Sequence, residues 1–125
     1  MRLLGLGGVG ALLQPPAVAR RCLVGDRRST RPVVLCGAAI DERLLPDEIA
    51  DLDETHVERL CALGTDLLVI GTGPRQVFLA PRLSALVLSR GIGCETMDTA
   101  AACRSYNVLI AESRSVAAAL FMLAP

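Results

Sequence analysis

Six consecutive residues, Gly71-Thr72-Gly73-Pro74-Arg75-Gln76, bring together the groups an anion site needs. Glycine lets backbone N–H groups approach a charged oxygen closely, and the Thr72 hydroxyl and Arg75 guanidinium are further donors. The segment follows the apolar run Leu67-Leu68-Val69-Ile70. It therefore sits where the carboxyl end of a buried strand presents a ligand-binding loop in α/β proteins. Glu95 and Asp98 lie at the end of the next predicted strand, where either can pair with Arg75. Gly71, Thr72, Gly73, Arg75, Gln76, Glu95 and Asp98 form the candidate ligand or partner site. The loop lacks the third glycine of a dinucleotide fingerprint and the Gly-Lys-Ser/Thr of a P-loop, and Pro74 has no N–H. The competing reading is structural, with Gly71 and Gly73 at positive φ in a turn and Arg75 pairing locally.

No other constellation organises a reaction, and no residue is assigned a catalytic role. The only histidine, His56, lies at the start of an acidic predicted helix, far in sequence from Cys94 and Cys103, so no activated thiol is visible. Five cysteines and one histidine show no metal-ligand spacing, and no cofactor is expected. The acidic pairs Asp41-Glu42 and Asp53-Glu54 are adjacent and point apart on regular elements. Gly5-Leu6-Gly7-Gly8-Val9-Gly10 matches G-x-G-x-x-G literally. Only four residues precede it, and Pro15-Pro16 interrupts the helix that should follow, so it is a decoy.

Periodicity locates the elements that would hold the loop. Arg21–Val24 and Arg31–Cys36 read as two strands of an N-terminal β unit, and residues 37–46 as a connection. Thr55 and Glu58 form a predicted capping box for a helix carrying Val57, Leu60 and Cys61, stopped by Gly64. The run Leu67–Ile70 reads as a strand buried on both faces, and Gln76–Leu79 as a short extended piece. A helix opens at Pro81 and ends at Gly91. A strand over Cys94–Met97 follows, then a helix capped by Thr96 or Asp98 with Ala102, Tyr106, Leu109 and Ile110 on one face. Ser113–Ser115 turns the chain into a last strand, Val116–Leu123. The second half is thus β-α-β-α-β, parallel strands joined by helical crossovers.

Composition bounds the partners. The formal net charge is zero, which gives no basis for nucleic-acid binding. All 13 basic residues are arginine; the carboxylates between Asp41 and Glu58 read as a solvated loop and helix start, with an acidic docking surface as the alternative. The odd cysteine count and absence of C-x-x-C fit reduced thiols and a cytoplasmic location. The apolar run Val116–Ala124 is nine residues, against the roughly 18–20 that cross a bilayer as a helix. Residues 1–21 are an ill-defined extension. Arg2, the stretch Leu3–Leu13 and Ala17-Val18-Ala19 imitate an export signal cleaved after residue 19, and a mitochondrial presequence or an upstream-assigned start are the other readings.

Beginning at Asp66, the order Gly71-Thr72-Gly73-Pro74-Arg75-Gln76, Ser89-Arg90-Gly91-Ile92-Gly93-Cys94-Glu95-Thr96-Met97 and Arg104-Ser105-Tyr106-Asn107-Val108-Leu109 resembles the Mth-like domain family. The resemblance implies one α/β domain over residues 22–125, with a mixed sheet, helices packed on it and an additional N-terminal β layer. Because that family includes a mitochondrial complex I assembly factor, it also implies a non-enzymatic protein-binding or assembly module. The expected partner is an unidentified protein, in a membrane-associated complex by the same analogy, with the chain a monomer or homodimer. The alternative is a small-molecule or anion-binding domain, or an enzyme, acting through the Gly71–Gln76 loop.

Overall fold

The computed structural model describes residues 2–3, 13–14, 22–24, 27–29, 31–37 and 39–122. The Gly5–Gly10 motif and the export-like Ala17–Ala19 lie outside them. In chain order come β1 (Arg2–Leu3), β2 (Leu13–Gln14), β3 (Cys22–Val24), β4 (Arg27–Ser29), β5 (Val33–Cys36), β6 (Ala39–Asp41), a 3-10 turn (Ile49–Asp51) and α1 (Glu54–Cys61). Then follow β7 (Leu67–Gly71), α2 (Pro81–Ser89), β8 (Gly93–Met97), α3 (Thr99–Ala111) and β9 (Val116–Leu120). One mixed sheet runs β1-β6-β5-β9-β7-β8, and β2-β3-β4 form a separate antiparallel sheet that meets α3.

The β-α-β-α-β reading holds, with β7 parallel to both β8 and β9. Because β9 lies on the far side of β7 from β8, the two crossovers run in opposite directions along the sheet. Crossovers of one hand then place their helices on opposite faces. The core shows this arrangement. Val33, Leu35, Val69, Val116, Ala118 and Leu120 pack with Ala102, Cys103 and Tyr106 of α3. Their strand neighbours Val34, Leu68, Ile70, Ala117 and Ala119 pack with Val57 and Leu60 of α1 and Leu83 and Val87 of α2. Strict alternation in β5, β7 and β9 thus feeds two cores from one sheet. Ala118 of β9 leaves room on the α3 face, and Tyr106 is the largest side chain fully buried there. Its hydroxyl has no hydrogen-bond partner among the described residues, and an unpaired buried polar group costs about 1–3 kcal/mol.

Three expectations are corrected. β5 does not stay in the N-terminal β unit with β3; it crosses into the main sheet, antiparallel to β9. The expected connection after Cys36 contains β6, which pairs back on β5 across the tight turn at Gly37, whose φ of 60° suits glycine. With three residues, β6 carries too little alternation to be seen in sequence. The α1 cap is Asp53, not Thr55. Its carboxylate accepts from the His56 N–H, and the His56 ring nitrogen accepts from the Asp53 N–H. Two side chains competed for one helix start, and the earlier one took it.

The acidic segment is largely engaged locally. Asp41 accepts from the N–H groups of Arg43 and Leu44. Glu54 pairs with Arg82 at 2.8 Å and Glu58 with Arg90, tying α1 to α2. Such exposed pairs are each worth less than about 1 kcal/mol.

Candidate functional site

The loop after β7 has two halves with different chemistry. Gly71 closes the strand against the start of α3. A Cβ built there would lie 2.9 Å from Thr99 Oγ1, 3.0 Å from Thr99 Cα and 3.1 Å from Ala102 Cβ. Its carbonyl accepts from the Phe121 N–H at 2.9 Å. Gly71 therefore serves close packing, and the turn reading applies only to Gly73, at φ 106°.

Thr99 completes the seal. Its hydroxyl is fully buried, accepts from the Gly73 N–H at 2.8 Å and donates to the Phe121 carbonyl at 2.6 Å. The Thr99 N–H donates to the Gly73 carbonyl, and the Thr72 N–H to the Met97 carbonyl. The Thr72 hydroxyl lies within donor distance of the Arg75 carbonyl, at 2.7 Å, and of the Met97 carbonyl, at 3.2 Å. It also accepts from the Val77 N–H. The N–H groups of Thr72, Gly73 and Val77 are thus committed within the protein, and they do not form an anion cradle. β7, β8, α3 and the residue after β9 are bound into one hydrogen-bonded knot where the sheet's connections diverge.

Beyond Gly73 the loop turns outward. Pro74, Arg75, Gln76, Val77 and Phe78 are exposed. Gln76 reaches the Thr96 carbonyl of β8 at 3.1 Å. The Arg75 side chain makes no ion pair or hydrogen bond among the described residues. With Thr72 and Gly73 it lines a cleft of about 470 Å³. Arg31, Asp47, Glu48, Phe121 and Met122 line the same cleft. None of those five was a candidate in sequence, because they converge only after β5, the 3-10 turn and β9 are placed.

The two acids expected beside Arg75 go elsewhere. Asp98 caps α3, accepting from the Ala101 N–H at 2.8 Å. Glu95 is exposed and lines a separate groove of about 280 Å³ with Arg104, Ser105 and Val108 of α3. Odd-numbered β8 residues bond toward β7, as Gly93 N–H to Asp66 and Thr72 N–H to Met97 show, so the backbone groups of Cys94 and Thr96 face the open edge.

Burial disfavours the thiolate form of three cysteines. Burial pushes Cys94 up to about 11, with nearby Cys61 and Glu95 adding to the shift. Burial likewise raises Cys36 and Cys61. Cys36, Cys61, Cys94 and Cys103 form no disulfide. Among the described residues there is no cluster of His, Cys, Asp or Glu suited to a metal, and no helix is long and apolar enough to cross a membrane.

Fold and site together define a small α/β domain whose parallel strands end in a sealed knot beside an open cleft. The family model described as "Protein of unknown function (DUF498/DUF598)" matches residues 14–121, and the chain belongs to that family. A solved protein of Bordetella parapertussis is 28% identical, with a TM-score of 0.83 over 90% of this chain and 96% of that one. A Bordetella pertussis solution structure described as a Mth938-like domain shares the fold at TM-score 0.73 and 21% identity, over 97% of this chain and 90% of its own. Over 55 residues the chain is 42% identical to NADH dehydrogenase [ubiquinone] 1 alpha subcomplex assembly factor 3 of Xenopus tropicalis, covering 44% of this chain and 30% of that protein. The chain spans less than two thirds of the length of the curated relatives it matches.

Proposed function

We propose that this protein is a non-enzymatic protein-binding module that assists assembly of a larger, membrane-associated complex from the cytoplasm. One observation carries the reading. The exposed large hydrophobic side chains among the described residues are Val77, Phe78, Leu88 and Val108, and all lie on the three segments around β8. Phe78 is 82% exposed and Leu88 65%. β8 is an outer strand of the sheet, with the Cys94 and Thr96 backbone groups turned outward and only the Thr96 carbonyl taken, by Gln76, among the described residues. A largely unpaired strand edge beside apolar side chains is the kind of surface a partner protein covers. The kinship with an assembly factor supports the same reading. So do the raised pKa values of Cys36, Cys61 and Cys94 and the use of the only histidine in a helix cap, which leave none of these three thiols activated.

Affinity purification of the tagged chain from its native host, membranes included, tests this against a Phe78→Ser, Leu88→Ser variant. Wild type is expected to retain specific subunits of one complex, and the folded variant to lose them. Recovery of the wild-type chain alone, or identical subunits on both proteins, would overturn the reading.

A further inference from the structure

The cleft beside the sealed knot has two charged side chains with nothing to neutralise them. Arg75 and Glu48 both line it, and neither makes a side-chain hydrogen bond or ion pair among the described residues. The other two charges at the cleft, Arg31 and Asp47, lie 3.8 Å apart and offset each other. The rest of the lining is mainly apolar, with Ile49, Val77, Phe121 and Met122. At about 470 Å³ the cleft falls within the range of small-molecule sites, and it opens at the carboxyl ends of β7 and β9.

The available donors narrow the ligand. A phosphate group needs several convergent donors; the N–H groups of Thr72, Gly73 and Val77 are already bonded and Pro74 has none, which leaves the loop only those of Arg75 and Gln76. A simple carboxylate would satisfy Arg75 and leave Glu48 uncompensated; a simple amine would do the reverse. A ligand carrying both charges and an apolar body complements both side chains and covers the apolar lining.

We propose that this cleft binds a small zwitterion with an apolar body, with its carboxylate on Arg75 and its ammonium on Glu48. Free apolar α-amino acids and short peptides of such residues share this chemistry. The site adjoins the surface around β8 through Val77, while Phe78 and Leu88 do not line it.

Titration calorimetry of the full chain at low ionic strength, with L-leucine and leucyl-leucine as probes, tests the assignment and distinguishes the two sources. Saturable binding of at least one is expected. Relative to the bound zwitterion, its amide, which lacks the carboxylate, and its N-acetyl form, which lacks the ammonium, should each bind about tenfold more weakly, the scale of one charge-assisted contact at a solvent-open site. Arg75→Gln should weaken the zwitterion about tenfold without further weakening the amide. Glu48→Gln should do the same with respect to the N-acetyl form. Both side chains are exposed, so both variants should keep the wild-type unfolding midpoint. No saturable heat from either zwitterion up to about 10 mM, the weak end of specific binding, would overturn the proposal. So would unchanged zwitterion affinity in both variants. Phe78→Ser, Leu88→Ser should leave the calorimetry unchanged, which separates failure of this site from failure of the partner surface.

Discussion

The two halves of the loop after β7 differ although they are continuous in sequence. In Gly71–Gly73 every polar group discussed above has a partner within the protein, and a glycine is retained because α3 leaves no space for a side chain. In Pro74–Phe78 an arginine has no ion-pair partner and a phenylalanine is almost fully exposed. The first half stabilises the fold and the second is available to other molecules. Residue types that resemble a ligand loop can therefore divide into a structural part and an interacting part within a few positions.

The strongest way to break this comparison is Gly71→Ala. The added methyl meets the backbone of Thr99 and the Ala102 side chain, so the helix itself must shift. A loss of about 3 kcal/mol is expected from such overpacking, read from the urea midpoint. A change below about 0.5 kcal/mol would show that the inner half is not under this constraint.

Thr99→Val tests the hydrogen bonds with little change in shape. It leaves the Gly73 N–H without its acceptor and the Phe121 carbonyl without its donor, both in a buried setting. About 2 kcal/mol should be lost. Amide exchange at Gly73 should quicken by more than exchange in α1.

Cys94, on the neighbouring strand, carries the same contrast into pH dependence. Its folded pKa is raised from 9.0 to about 11 because burial disfavours the thiolate. The associated stability is fully present below about pH 9 and is lost as pH rises toward about 11, where the unfolded chain releases the proton first. Unfolding midpoints across that window should fall more steeply for the wild type than for Cys94→Ala. At neutral pH iodoacetamide should modify Cys94 more slowly than a free cysteine.

The smallest stability effects belong to the outer half. Phe78→Ser and Arg75→Gln should each leave the unfolding midpoint within about 0.5 kcal/mol of wild type. Their consequences should appear in partner capture and in zwitterion binding respectively. Substantial destabilisation by either would mean that the outer half also supports the fold.

Much of the scaffold was legible because its signals are local. The short continuous apolar run Leu67–Ile70, Pro81 and Gly91 bracketing α2, and the shared face of Ala102, Tyr106, Leu109 and Ile110 all act within a few residues. The site was legible only in part. Thr72, Gly73 and Arg75 do meet at a cleft, whereas Asp98 is used as a cap and Glu95 faces another groove. An acid's availability depends on which backbone donors end up beside it, and spacing along the chain does not carry that information.

By itself, the sequence determined which segments become helices and strands in the second half and the two-sided burial of the sheet, because hydrophobic period and capping chemistry are properties of short windows. It also determined the family, through the order of its motifs. Only the tertiary structure decided that β5 leaves the N-terminal unit, that Gly71 makes room for Thr99, and that Glu48 shares a cleft with Arg75. Those outcomes depend on contacts between residues 20 or more positions apart, whose formation rests on how the sheet is ordered rather than on any local preference.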